Sequence, residues 1–451
     1  MTATDTAHDV IGDATLGELA ATVRGELVRP NDPGYDSARA VWNGAHDRHP
    51  ALIIRCAGTA DVIRAVEFAR SQGLVIAVRG GGHSIAGFSS CDDGVVIDTS
   101  PMKGIRVDPV NQTAVAQAGV TWAELDHETQ AFGLAVTGGL VSSTGIAGFT
   151  LGGGLGWLLR RLGLTCDNLI SADVVTADGQ LITASENEHP ELFWALRGGG
   201  GNFGIATSFT YRLHPVGPVV FAGPVFYPAE SAAQVLRGWR DLAPTLPDEL
   251  TTLANVLVAP PVPFLPASVH GRMVVGIIGV HSGSLDAGAE AVAPLRHLAE
   301  PVADLMGPMP YTAMQGLLDP LWTPGASNYF TSAMLDEISD EAIDALLARH
   351  AAGSAPVREL HLHHCGGAMN RVPADATAYA NRSTQYVLNI IARSPEAAGF
   401  DQHAEWAQDT RKALAPWTTG AEYVNFTADD TQDRVKASYP AATYQRLVAV
   451  K

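Results

Sequence analysis

Residues 142–169 read SSTGIAGFTLGGGLGWLLRRLGLTCDNL. They overlap a charge-free run from Thr129 to Leu159 whose length and apolarity match a membrane span. Gly133, Gly138, Gly139, Gly145, Gly148, Gly152, Gly153, Gly154 and Gly156 argue against that. Glycine costs about 1 kcal/mol relative to alanine inside a helix and adopts turn conformations freely. The run is therefore expected to be backbone folded closely round a ligand. Within it, GFTLGGGLGW (148–157) superficially offers a G-x-G-x-x-G turn. A dinucleotide fingerprint needs its last glycine and a flanking strand and helix, and the glycine is missing. At the far end, Cys166 follows Arg160 and Arg161. Cationic neighbours lower a thiol pKa if they point inward, and a buried inert cysteine is the alternative.

Working outward, two more glycine clusters share this half of the chain. Arg79-Gly80-Gly81-Gly82-His83-Ser84 follows an apolar run, Leu74–Val78. Three glycines let backbone N–H groups line a concave nest for a pyrophosphate, with Arg79 adding charge; an ordinary turn with a surface histidine is the alternative. The second cluster is RGGGGNFG (197–204). Around them, Ala51–Ile54, Val95–Asp98, Thr113–Ala116 and Ile205–Leu213 read as strands. Asp61–Gln72 reads as a helix with Val62, Ala65, Val66 and Ala69 on one face. Thr121 and Glu124 form a capping box ahead of a helix to Phe132. Asp178-Gly179 sets a hairpin within DVVTADGQLIT (173–183).

Pro215 and Pro218 mark a boundary. Beyond it, strands near Val219–Tyr227, Thr252–Val258, Arg272–Val280, Val357–His364 and Gln385–Ala392 alternate with helices near Ser231–Leu242, Asp286–Leu298 and Asp340–His350. That texture predicts an antiparallel sheet covered by helices. The 451 residues are 46% apolar and 17% charged, a core-building composition with room for two domains. A net charge of -18 disfavours nucleic acid and anionic membranes as partners. MTATDTAHDV lacks the pattern of a secretory leader, which points to the cytoplasm. Four cysteines, none in metal-ligand spacing, predict neither a disulfide scaffold nor a metal site.

In order, RGGGHS, the 142–169 stretch, DVVTADGQL, ELFWALRGGGGNFGI, GGAMNRVPADATAYANR, EYVNF and SYPAATYQRLVAVK resemble the berberine bridge enzyme-like FAD-linked oxidases of the vanillyl-alcohol oxidase superfamily. The resemblance covers nearly the whole chain. It implies an α+β fold: an FAD-binding domain in two parts (1–215 and 411–451) and a central substrate domain (216–410). It also implies FAD held by two covalent bonds, from His83 to the 8α-methyl carbon and from Cys166 to C6. The RGGGHS loop (Arg79, Gly80, Gly81, Gly82, Ser84) and Gly119 would hold the pyrophosphate and ribityl chain. Gly138, Ser142, Thr144, Gly145 and Gly148 would form the opposing loop, with Asp167 beside the cysteine. Ile205 would lie near the adenine and Asn425 near the isoalloxazine. Val174 stands where valine in some relatives admits oxygen. Family chains usually continue with a short YDPxNxF-type tail, which this sequence does not show.

The chemistry so implied is hydride transfer from a small alcohol, sugar, amine or aromatic natural product to flavin N5, with reoxidation by O2 to hydrogen peroxide. A base must take the accompanying proton. Tyr423, in the family's tyrosine position, is the first candidate. His361 and His363 follow, since strand alternation puts both on one sheet face and His364 on the other. A dehydrogenase using another acceptor and a flavin-loaded protein with little turnover are the rival expectations.

Overall fold

Apolar, β-branched runs separated by glycine turns build the first half of the chain. In the computed structural model, which describes residues 11–395, 398–428, 431, 436 and 438–451, Leu52–Arg55 pairs in parallel with Val95–Asp98, which pairs in parallel with Ile76–Arg79. Glu26–Val28 closes the other edge antiparallel. Parallel neighbours need a crossover. Helix Thr59–Ser71 crosses over between the two strands that flank Val95–Asp98, and it buries Val62, Ala65, Val66 and Ala69, the predicted face. Met1–Val10, on which the reading of no leader rests, lies outside the described residues.

A second, five-stranded antiparallel sheet follows, in the order Ile105–Asp108, Thr113–Gln117, Ile205–Arg212, Leu169–Val175, Leu181–Ser185. Its last pair is the predicted hairpin, closed by Thr176 N–H to Gln180 O at 2.9 Å with Gly179 at φ 84°. The capping box forms at Thr121 and Glu124 of helix Trp122–Gln130. Between Ala131 and Leu158 the only described helix is the short Ile146–Leu151. No described helix is long and apolar enough to cross a membrane.

The central part is an eight-stranded antiparallel sheet. Its order is Ala303–Asp304, Val219–Pro228, Met273–His281, Leu250–Val258, Val357–His364, Tyr386–Ser394, Ser327–Leu335, with Gly307–Pro310 also pairing Val219–Pro228. One face packs under helices Ala232–Leu242, Asp340–Ala352 and Phe400–Leu414 through Trp239, Leu346 and Trp406. The other face turns to the glycine stretch: Leu253 and Ile278 meet Trp157 and Leu158, and Met334 and Val387 meet Leu155, Leu159 and Cys166. The break expected at residue 410 falls inside the Phe400–Leu414 helix. No breaker interrupts its apolar face before Pro416, so the chain crosses back only after Leu414. Helix Ala441–Val450 then packs on Pro190–Leu196, where Arg446 holds Glu191 bidentately at 2.8 and 2.9 Å.

The seam between the two parts contains Asp126. One carboxylate oxygen accepts from Gln315 Nε2 at 2.9 Å and the other has no partner. Burial pushes its pKa from 3.8 up to about 7. The folded chain thus keeps a proton that the unfolded chain releases near 3.8. The associated stability is complete below that value and is lost as pH rises through about 7. Asp126→Asn is expected to gain melting temperature over the wild type progressively from about pH 5 to about pH 7 and to hold that gain at higher pH. A pH-independent gap in calorimetric scans would contradict this.

Candidate active site

The strand Ile76–Arg79 delivers the glycine loop. Arg79 ends it with a buried guanidinium that meets Asp98 at 2.7 Å and donates to the carbonyls of Ala38 and Ala40. This corrects the expectation that Arg79 lends charge to a phosphate: its donors are committed to anchoring the loop. A Cβ on Gly81 would lie 2.3 Å from the nitrogen of Gly145, and one on Gly145 would lie 2.5 Å from that of Gly81. The two loops therefore meet backbone to backbone. Gly82 turns at φ 72°. Among the described residues, the N–H groups of Gly81, Gly82 and His83 donate to no backbone carbonyl outside regular elements. A glycine-built concavity with free N–H groups fits an anionic diphosphate. An open cleft of ≈ 440 Å³ runs along Trp42, Gly80–Gly82, Asp98 and Ser100.

His83 follows the nest. Its ring stacks on Trp42 with centroids 4.9 Å apart, while Ser143 Oγ lies 3.2 Å from Nε2 and Thr144 Oγ1 3.4 Å from Nδ1. Burial pushes its pKa down to about 4, so the imidazole is neutral at physiological pH and keeps a nucleophilic lone pair. Ser142 serves elsewhere: its N–H and Oγ both bind Asp319 of the central part, at 2.8 and 2.5 Å. Gly119 is pressed against the carbonyl of Thr99 and Gly138 against Trp122, whereas Gly148 faces open space. Val174 and Ile205 are buried in the cores of the flavin half.

The C-terminal segment brings Tyr423 and Asn425 to the other end of the site. Tyr423 is 1% exposed, and its oxygen accepts three N–H groups: Gly154 at 2.9 Å, Leu155 at 3.1 Å and Asn425 Nδ2 at 2.9 Å. Nδ2 of Asn425 also donates to Phe149 O at 3.1 Å, which fixes the amide orientation. Burial pushes the phenol up to about 12, against the downward pull of these three donors.

A line of rings joins the two ends, from His83 through Trp42, Trp322, His361, His363 and Phe426 to Tyr423. Successive centroids are 4.9, 6.4, 6.5, 5.9, 5.4 and 4.8 Å apart. His361 and His363 thus share the face towards the flavin half, as alternation predicts. His364 packs on the opposite side against Trp239 and Tyr386. His361 Nε2 lies 2.5 Å from Glu359, which also accepts from Asn255 at 2.8 Å. His363 is pushed down to about 3 by burial and by His361, and its Nε2 has no partner.

Cys166 lies in the apolar cluster beside Tyr423 and is 0% exposed. The cationic activation expected from Arg160 and Arg161 is absent. Arg160 donates to the carbonyls of Leu246, Leu250 and Cys365, and Arg161 to that of Ser282. Both side chains turn towards the central sheet because buried carbonyls there need donors. Burial instead raises the Cys166 thiol pKa. Asp167 is paired bidentately with Arg382 at 2.7 and 2.8 Å. Among the described residues no cluster suits a metal ion.

A family model described as "FAD binding domain" matches residues 50–185. The (R)-6-hydroxynicotine oxidase of Paenarthrobacter nicotinovorans is 31% identical over 442 residues, covering 95% of this chain and 94% of that protein. The chain belongs to the berberine bridge enzyme-like FAD-linked oxidases of the vanillyl-alcohol oxidase superfamily. Solved folds of this family agree. The 6-hydroxy-D-nicotine oxidase of Arthrobacter nicotinovorans superposes with a TM-score of 0.84 at 28% identity, over 95% of this chain and 94% of that one. Glucooligosaccharide oxidase of Acremonium strictum shares the fold alone, with a TM-score of 0.84 at 23% identity, over 97% and 96% of the two chains. The face of this FAD-linked oxidase's central sheet that looks towards the flavin half carries buried polar groups, among them His361, His363, Glu359 and Asn255. Of these, Glu359 and Asn255 were not singled out from sequence. The alternation Glu359-Leu360-His361-Leu362-His363 was the available signal for Glu359, since it puts the carboxylate on the histidines' face.

Proposed function

We propose that this FAD-linked oxidase holds its flavin covalently through His83 and oxidises a small molecule placed between His83 and Tyr423, with O2 as electron acceptor. The observation that carries this is the neutral His83 imidazole at one end of the line of rings whose other end is Tyr423. When bound, FAD supplies hydride acceptance and electron delivery to oxygen. The chain's own work is to bind, orient and move a proton. The Gly81–His83 N–H groups receive the diphosphate, and Trp42 and the two hydroxyls orient the His83 ring. Tyr423, ionised to the phenolate, accepts the substrate proton; the N–H groups of Gly154, Leu155 and Asn425 stabilise that phenolate before the transfer.

Attachment through Cys166 as well describes glucooligosaccharide oxidase, whose flavin is 6-S-cysteinyl and 8α-N1-histidyl. Here the Cys166 sulfur is sealed among Leu155, Leu159 and Tyr423, and its thiol is raised rather than activated. A thiolate is the nucleophile in such a bond. His83 is therefore the attachment this geometry supports better, and the Cys166 bond is the second reading. Cys166→Ala is expected to retain all of the acid-stable flavin, read from the visible spectrum of denatured protein. The histidyl bond keeps the colour in either case, so the spectrum decides: a flavin absorbance shifted relative to the wild type in that variant, from loss of a 6-S-cysteinyl substituent, would restore the two-bond reading.

Oxygen consumption and peroxide release with a panel of alcohols, sugars, amines and phenols test the oxidase reading. Reduction of an artificial dye without oxygen uptake would instead mark a dehydrogenase on this scaffold.

A further inference from the structure

Across four strands of the central sheet, Asn255, His361, Asn389 and Ser332 stand opposite one another in register. They form a polar row on the face towards the flavin half, and they are 6%, 5%, 2% and 0% exposed. The row above is apolar except for His363: Leu253, His363, Val387 and Met334. The row below is Leu257, Glu359, Ile391 and Phe330. Glu359 orders the polar row from beneath. By accepting from Asn255 Nδ2 at 2.8 Å it fixes that amide with Oδ1 pointing away. Asn255 Oδ1, Asn389 Oδ1 and His363 Nε2 are all buried without a hydrogen-bond partner. Leaving such atoms unmatched is costly, so the two amide oxygens on one face call for a guest that supplies donors, and His363 Nε2 beside them calls for a partner of either kind. Ser332 ends the row by accepting the N–H of Tyr423 at 2.9 Å. Flat rings flank it: Trp322 stands edge-on to His361 at 6.5 Å, and Phe426 lies 5.4 Å from His363.

We propose that Asn255, His361 and Asn389, braced by Glu359, form the orienting subsite for a ring substrate bearing two hydrogen-bond donors. This rests on the oxidase reading and names its substrate class. Asn255 and Asn389 stand two strand spacings apart, about 9.6 Å. Their amide oxygens lie on either side of His361, and each can take one donor of a ring laid against this face. Such a ring, held by its donors at the sheet and by the aromatic edges at its faces, presents an oxidisable substituent beside Tyr423.

The test compares 3,5-dihydroxybenzyl alcohol with 3,5-dimethoxybenzyl alcohol by anaerobic titration of the flavin absorbance of the holoenzyme. The dihydroxy compound is expected to half-saturate the change at a concentration at least ~10-fold lower. In Asn389→Leu the difference should shrink below about threefold, while Asn389→Thr, which keeps one oxygen, retains part of it. Asn389→Leu should also raise the melting temperature by roughly 1–3 °C, because it removes an unmatched buried acceptor. Equal responses to the two compounds in the wild type, including none to either, overturn the proposal. So does a lowered melting temperature in Asn389→Leu, which would make the amide a structural member of the sheet. A protein that consumes oxygen with donor-free alcohols and shows no preference sinks the subsite and leaves the oxidase reading standing. A flavin-free protein sinks the oxidase reading, and the melting temperatures still decide the subsite.

Discussion

His83→Ala leaves no flavin on the protein after denaturation: the acid pellet is colourless and the yellow absorbance appears in the supernatant. The effect is expected to be all or none, because one bond is at issue. Three contacts prepare it: the Trp42 stack, Ser143 Oγ at Nε2 and Thr144 Oγ1 at Nδ1. Burial keeps the ring neutral, with its pKa at about 4, so a lone pair is available throughout the physiological range. The variant should still fold, since the ring is a partly exposed lining of the site and not a core member. It should also still bind FAD reversibly through the glycine nest. Retention of acid-stable flavin in His83→Ala would move the attachment to another side chain, with Cys166 the first to examine.

Tyr423→Phe is expected to lower kcat by about 10²–10⁴-fold, the usual range for loss of a positioned acid–base group, with flavin content unchanged. It should also destabilise the fold, since the N–H groups of Gly154 and Leu155 and the Asn425 amide lose their acceptor, at about 1–3 kcal/mol for each group left unmatched. Stability loss alone would not alter a pH profile, so the profile separates the two effects. The Tyr423 phenol lies near 12. Its base form therefore grows as pH rises through neutrality, and the wild-type kcat should climb with pH. The Phe variant should be flat over the same range. A Tyr423→Phe enzyme that keeps the wild-type pH slope would transfer the base role to His361 or His363.

What the sequence made legible was local. The Asp178-Gly179 turn, the Thr121/Glu124 box and the buried stripe of Thr59–Ser71 each depend on residues within a turn or two of one another. His83 could be read for the same reason, since its nest is made by three adjacent glycines. The commitments of charged groups could not be read. Arg79 finds Asp98 19 residues on, and Asp167 finds Arg382 215 residues on. Arg160 turns to carbonyls of the central sheet and away from Cys166, six residues along the chain. Ser327–Leu335 was missed as a strand because it is buried on both faces, so no alternation marks it. Asn255 joins Glu359 through sheet register, across 104 residues, which no local pattern reports.

The hydrogen bonds from Gly154 and Leu155 to the Tyr423 oxygen span 269 and 268 residues. During synthesis, the His83 side of the site is complete long before its Tyr423 side leaves the ribosome. The closing helix Ala441–Val450 docks later still. A nascent or prematurely terminated chain can therefore hold the cofactor's anchoring side chain without the group that would let it turn over. On the proposed reading, turnover with oxygen begins only once Tyr423 has reached Gly154 and Leu155.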